Sequence, residues 1–173
     1  WPVIFSALVA VGEGIIGMAD RAGIYAFLNR LLIPTGLHHA LNNVFWFDTI
    51  GLGDLSHYWA GDTPQRRLEL GMYMSGFFPC MMFGIAGAAL AMIKAAKNKK
   101  AAIGLVLSAA ICAFICGVTE PFEFAFMFLL RLYVVYALLY GIFAFVTVAL
   151  GFRAGFSFSA GLTDLVFSAS LPA

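Results

Sequence analysis

Gly71 to Ile93 (GMYMSGFFPCMMFGIAGAALAMI) runs without an Asp, Glu, Lys, Arg or His, and so does Leu132 to Phe152 (LYVVYALLYGIFAFVTVALGF). About 20 such residues carry a helix across the hydrocarbon of a bilayer, with a lower limit near 17. Both stretches therefore predict membrane spans, and Ala101 to Val118 predicts a third close to that limit. Trp1 to Met18 is a fourth candidate, weakened by Glu13 inside it and by Gly12, Gly14 and Gly17, which lower helix propensity. The periodicity thus predicts an all-α polytopic membrane protein.

Composition agrees. The chain is 62% hydrophobic and 11% charged, with a mean hydropathy of +0.94, against about 25% charged in soluble domains. The net charge is only +1, and no nucleic-acid partner is expected. Lys94, Lys97, Lys99 and Lys100 cluster in the link KAAKNKK between two spans. By the positive-inside rule this link faces the cytoplasm, and it also suits anionic lipid. Cys80, Cys112 and Cys116 all fall in apolar spans and read as packing. Cys112 and Cys116 share a helix face, but no neighbouring His or Cys completes a metal set. The chain starts at Trp1, without the charged n-region and small-residue cleavage site of a signal peptide, and so reads as a piece of a longer protein.

Polar residues interrupt this pattern in two places. In LLIPTGLHHALNNVFWFDTIGL, Pro34 and Gly36 break an apolar segment just before His38, His39, Asn42 and Asn43. Such breaks occur at membrane depth only against protein or a water-filled cavity. If a helix resumes after Gly36, His38 stacks with Asn42 on one face and His39 with Asn43 on the next. In GVTEPFEF, Thr119, Glu120 and Pro121 follow a span's end at Gly117, and proline denies Glu120 the α region. The apolar run Phe124 to Leu130 is too short to cross, which predicts a re-entrant hairpin with the acid at its tip.

A carboxylate at membrane depth costs several kcal/mol, so an acid kept there usually faces a cavity and serves a site. The alternative for Glu120 and Glu123 is a pair of interfacial loop acids. His38 and His39 fit either a site or hydrogen bonds within a bundle, and Arg30 by itself reads as a helix-end arginine that snorkels. Together these residues suit a neutral, hydroxyl-rich ligand such as a sugar, with His, Asn and Arg as donors and aromatic faces beside them. A hard cation would need several convergent carboxylates, which the chain does not offer. No metal and no cofactor is expected. Asp54, His57 and Asp62 in GLGDLSHYWAGD match no ligand spacing and predict a capped loop. The stretch GFSFSAG with Gly161 to Asp164 reads as a last polar turn making a small-residue helix contact.

Four stretches in order, LNRLLIPTGLHHALNNVFWFD, GMYMSGFFPCMMFGIAGAALAM, GVTEPFEFAFMF and RAGFSFSAGLTD, resemble the membrane-embedded IIC component of the bacterial phosphotransferase system. Within its glucose superfamily the N-acetylglucosamine-specific branch is the nearest likeness. The resemblance implies several transmembrane helices plus re-entrant hairpins, one around Thr119 to Phe128 and a second near Asp48 to Asp62, with an elevator-like movement. It implies a multi-pass protein of the bacterial cytoplasmic membrane that carries a sugar inward while a phosphorylated IIB domain phosphorylates the C6 hydroxyl. Residues 1–173 would then be a single membrane domain, the C-terminal, sugar-site half of an enzyme IIC that is a homodimer at full length, with no IIB or IIA domain.

By the same resemblance Arg30, His38 and Glu120 hold the sugar, and Thr119 and Pro121 contribute at the backbone; His39, Asn42 and Asn43, on the polar ladders after Gly36, are candidate lining residues beside them. His38 and Glu120 would orient the C6 hydroxyl, with Glu120 as general base. Arg30 would donate to hydroxyls and keep Glu120 ionised. None of the three cysteines lies in the setting of the family's phosphocysteine, so phosphate comes from a partner. Arg131 stands where the family usually has proline, and QRRLEL (Gln65 to Leu70) replaces a shorter link, so an unpaired Arg131 in lipid would be costly. Two other readings fit the residues: a secondary transporter or channel relaying protons through Glu120 and His38, and a truncated, non-transporting remnant.

Overall fold

The computed structural model describes residues 2–16, 20–61 and 70–169. Among them are ten α-helices and no strand: α1 Pro2–Ile16, α2 Arg21–Leu32, α3 His38–Trp46, α4 Asp54–Ala60, α5 Met72–Ser75, α6 Ile85–Ala95, α7 Lys99–Cys116, α8 Glu120–Phe126, α9 Leu130–Ala149 and α10 Leu162–Ser168. Three runs are long and apolar enough to cross a membrane: Met72–Ala95, Lys99–Cys116 and Leu130–Ala149. These are the three spans expected from the charge-free stretches. The fourth candidate is the 15-residue α1, shorter than the roughly 17 residues a crossing helix needs, and Met18 lies outside the described residues.

The first span is one 24-residue run that changes its winding on the way. Pro79 opens a π-helical turn, Pro79–Gly84, between α5 and α6. Proline has no N–H to give the carbonyl four residues back, and a wider turn accommodates the missing bond without ending the helix. The lysine-rich link then turns the chain back. Asn98 caps α7, its side-chain oxygen accepting from Ala101 N at 3.2 Å, and α6 packs along α7.

The most extensive packing joins α2 to α9. A Cβ built on Gly23 would stand 2.9 Å from the carbonyl oxygen of Gly141, and one on Gly141 would stand 2.8 Å from the carbonyl oxygen of Gly23. The two backbones meet at a point where neither has a side chain. Small residues are how helices associate in lipid, where leucine-rich faces gain nothing by leaving the bilayer. Around this crossing an aromatic core assembles from Tyr25, Phe45, Tyr73, Phe77, Tyr140 and Phe156. Tyr25 meets Tyr73 edge-on at 5.6 Å, and Phe77 meets Tyr140 at 5.3 Å.

One expectation changes. Asp54 and His57 lie in a helix, α4, framed by left-handed Gly53 and Gly61, where a capped loop was expected. Buried Asp54 accepts from Gly71 N at 2.7 Å, so the acid ties α4 to the start of the first span. Asp62 and most of QRRLEL lie outside the described residues. Arg131 is exposed in the first turn of α9, at the end of the helix, where a long arginine side chain can extend toward the membrane interface.

The α2–α9 crossing predicts that Gly141→Leu destabilises the protein severely, because the neighbour a side chain would meet is backbone that cannot turn aside. Gly104→Ala on α7, with nothing within 4 Å of its Cβ position, is the control and is expected to keep its melting temperature in detergent. Equal melting temperatures for the two variants would contradict the packing argument.

Candidate functional site

The two polar interruptions come together. α2 ends in a short 3-10 turn, Ile33–Thr35, and Gly36 takes a left-handed φ of 74°. The chain then restarts as α3 at His38, so the predicted helix after Gly36 is present. Far along the chain, α7 stops at Gly117, also left-handed at φ 75°. Pro121 sits in the first turn of α8, where its missing N–H costs nothing. Glu120 and Glu123 occupy that same turn, where the helix dipole favours negative charge. α8 is a separate seven-residue helix, far too short to cross.

The break at Gly117 is held from outside. Ser159 Oγ donates to the Gly117 carbonyl at 2.9 Å and Thr163 Oγ1 to the Ile115 carbonyl at 3.1 Å. Asp164 in turn accepts from the backbone N–H groups of Ser157 and Ser159 at 2.8 and 3.2 Å. The stretch RAGFSFSAGLTD therefore braces the end of α7 by specific hydrogen bonds as well as by the small residues expected of it.

Arg30 is buried, 3% exposed, and its guanidinium is enclosed. Nη1 donates to Glu123 Oε1 at 2.8 Å and to Thr119 Oγ1 at 3.0 Å. Its Cζ lies 4.3 Å from the ring centre of Tyr140 and 5.1 Å from that of Phe77. Glu123, fully buried, also accepts from Tyr136 Oη at 2.6 Å and Thr119 Oγ1 at 3.2 Å. Tyr133 Oη donates to the Arg30 carbonyl at 2.6 Å. This corrects two expectations: Arg30 does not snorkel, and its direct counter-charge is Glu123 rather than Glu120. Desolvation explains both, since a guanidinium this deep needs a carboxylate as deep as itself.

Glu120 turns the other way. Its side chain is one-third exposed, and Oε1 lies 3.7 Å from Nε2 of buried His38. His38 stacks on exposed His39, ring centres 3.9 Å apart. Neither ring nitrogen of His38 has a hydrogen-bond partner, nor has Nε of Arg30 or Oδ1 of Asn29. Buried donors and acceptors without partners are rare, and four in the segment from Asn29 to His38 leave polar capacity for a ligand.

Asn42 and Asn43 differ from the two histidines. Asn42 is buried and its Oδ1 accepts from Tyr25 Oη at 2.7 Å and from the side-chain amide of Asn29, fastening α3 to α2. Asn43 is exposed, and its Oδ1 accepts from Thr49 Oγ1 at 2.8 Å in the turn after α3. Pro121 is exposed and Thr119 buried. The structure thus joins Arg30 with Thr119 and His38 with Glu120, and gives Asn42 and Asn43 hydrogen bonds that shape α3.

Residues 1–141 match the family described as "Phosphotransferase system, EIIC". The chain belongs to this EIIC family. It is 49% identical to the N-acetylglucosamine-specific EIICBA component of Klebsiella pneumoniae, an alignment covering 100% of this chain and 28% of the relative. It is also 49% identical to the N-acetylglucosamine-specific EIICB component of Bacillus subtilis (strain 168), over 97% of this chain and 38% of the relative. The glucose-specific EIICBA component of Staphylococcus carnosus is 37% identical over 99% of this chain and 28% of its own length. The chain therefore spans well under half the length of these curated relatives. EIIC proteins are membrane components, in keeping with the three apolar helices.

Glu123 is the site residue that sequence reasoning passed over. The signal was present: four residues after Thr119 and three after Glu120, it shares a helical face with the first and lies inside the apolar run PFEFAF. In the EIIC fold the two acids separate by depth. Glu123→Gln, leaving the Arg30 charge uncompensated, is expected to lower stability by about 3–5 kcal/mol, read as a fall in melting temperature in detergent. Glu120→Gln, at a part-exposed position, is expected to melt close to the parent, and equal losses would argue against the division.

Proposed function

We propose that this chain supplies the sugar-binding part of an EIIC transporter that carries N-acetylglucosamine, or a related hexose, inward across the bacterial cytoplasmic membrane. A phosphorylated IIB domain phosphorylates the C6 hydroxyl on the way. The observation that carries this reading is the meeting of two segments some ninety positions apart: Arg30 donates to Thr119 at 3.0 Å while His38 faces Glu120 at 3.7 Å. These are the residues that the family resemblance singles out.

The chemistry follows from their environments. Glu120 is the accessible acid, an acceptor for the C6 hydroxyl proton as its oxygen attacks phosphorus, and His38 offers two unpartnered ring nitrogens to orient that hydroxyl. Arg30 keeps Nε without a partner while Nη1 is engaged with Glu123 and Thr119, so the guanidinium retains donor capacity for sugar hydroxyls. His39, Asn42 and Asn43 are lining residues in this reading, Asn42 and Asn43 through the bonds that shape α3, and Thr119 and Pro121 contribute at the backbone. Preference for N-acetylglucosamine is supported by identity, 49% to relatives named for that sugar against 39% and 37% to those named for glucose. The lysine-rich link on the cytoplasmic side, a multi-pass arrangement, pairing into a homodimer at full length and residues 1–173 as one membrane domain belong to the same reading.

Calorimetry in detergent with N-acetylglucosamine and glucose, beside phosphorylation assays driven by phosphorylated IIB, tests it. Selective binding of the first sugar is expected. Glu120→Gln is expected to keep the fold and to slow IIB-dependent phosphorylation by about 10²–10⁴-fold, the usual worth of a general base. Phosphorylation at the parent rate in that variant would remove Glu120 from the role, and uptake that follows a pH gradient without a phosphate donor would favour a proton-coupled carrier.

A further inference from the structure

The corner formed by α3 and the start of α8 holds a second chemistry. One ligand atom from each of His38, His39 and Glu120 lies within 4.8 Å of the other two. The two imidazoles stack at 3.9 Å with their planes tilted by 38°, and the Glu120 carboxylate stands 3.7 Å from His38 Nε2, beyond hydrogen-bond reach. His38 is 5% exposed, yet both its ring nitrogens lack a partner. A buried imidazole of this kind has a lone pair to give.

We propose that His38, His39 and Glu120 bind a borderline divalent transition-metal ion such as Zn²⁺, and that the bound ion excludes the sugar. Two imidazoles and one carboxylate suit Zn²⁺, Ni²⁺ or Cu²⁺, whereas Mg²⁺ and Ca²⁺ demand more oxygen ligands than one carboxylate supplies. Zinc takes nitrogen and oxygen ligands at about 2.0–2.2 Å, which sets ligand atoms roughly 3.3 Å apart in a tetrahedron. His38 and Glu120 are already near that spacing. His39, exposed on α3, and Glu120, one-third exposed, are free to close the remaining distance by side-chain rotation.

Charge does not oppose the ion. The nearest buried cation, Arg30, is neutralised by Glu123 at 2.8 Å, so the negative charge of Glu120 remains for a metal. Three protein ligands leave a fourth position for water. Exclusion of the sugar rests on the function proposed above, because the atoms that would orient the C6 hydroxyl are those the ion consumes; metal binding itself does not depend on that reading.

The test is a Zn²⁺ titration by calorimetry, with Co²⁺ absorption as a second readout, on the protein in lipid nanodiscs. Cys112 and Cys116, the thiols that are not buried, are replaced by serine beforehand to remove competing ligands. One ion per chain is expected. His39→Ala and Glu120→Gln are each expected to weaken binding at least about tenfold, since even outer-shell substitutions at metal sites cost 10–100-fold. Neither side chain is buried, and unchanged melting temperatures verify folding. The absence of saturable binding, or binding unaltered in the His39→Ala/Glu120→Gln double variant, overturns the proposal. N-acetylglucosamine is expected to raise the apparent Zn²⁺ dissociation constant linearly with its free concentration, as a competitor does. Zinc held by these three residues without that competition would uphold the metal site and count against the placement of the sugar.

Discussion

A guanidinium enclosed by apolar helices has to be matched, and the Arg30–Glu123 pair is the contact on which the rest of this molecule depends. Removing either charge alone strands the other at a cost of several kcal/mol, so the elements that carry them are fixed relative to each other. Arg30 comes from α2, Glu123 and Thr119 from the α8 turn, Tyr133, Tyr136 and Tyr140 from α9, and Phe77 from the first span. One buried cation thereby joins parts of the chain about a hundred residues apart. The Gly23–Gly141 crossing brings α2 close enough to α9 for this to happen.

The same pair explains why the Thr-Glu-Pro break carries its acids three positions apart. At 3.6 residues per turn, residues three apart are offset by about 60° around the helix axis, so their side chains can diverge. With Glu123 turned inward to Arg30, Glu120 is directed toward the His38 side, where it keeps a third of its side-chain surface. A single buried acid would have to choose between neutralising Arg30 and meeting a ligand. Two acids in one helical turn separate those tasks, and both gain from the positive end of the α8 dipole.

The spans, the lysine-rich turn and the helix breaks at Gly36 and Gly117 were legible in the sequence because each depends on local chemistry: apolar length, charge, proline and glycine. Which face of a span packs was not. α7 and α9 are apolar on every side, with Leu105, Ile111, Leu138 and Phe143 as exposed as any residue of a soluble surface, because lipid is as good a solvent for leucine as protein is. The packed faces are marked instead by small residues, Ala110 and Ala113 on α7, Ala137, Gly141 and Ala144 on α9. The expectation that Arg30 snorkels failed for a related reason: a helix-end arginine and a buried one look alike until the partner acid, ninety-three positions away, is known. His38 and Glu120 were legible as chemistry out of place in an apolar chain. Asn42 and Asn43 were legible as polar, but their hydrogen bonds to Tyr25, Asn29 and Thr49 are tertiary facts.

This arrangement constrains how the site can move. α2, α8 and α9 share the Arg30 network, and α3 is fastened to α2 through Asn42. A motion that parted α2 from α8 would separate the buried charges and leave each without its partner in a medium that solvates neither. A motion carrying these helices together preserves every one of those contacts. A single buried ion pair therefore makes parting α2 from α8 costlier than keeping them together, and it leaves the looser His38–Glu120 contact, at 3.7 Å and one-third exposed on the acid's side, as the place where local adjustment costs least.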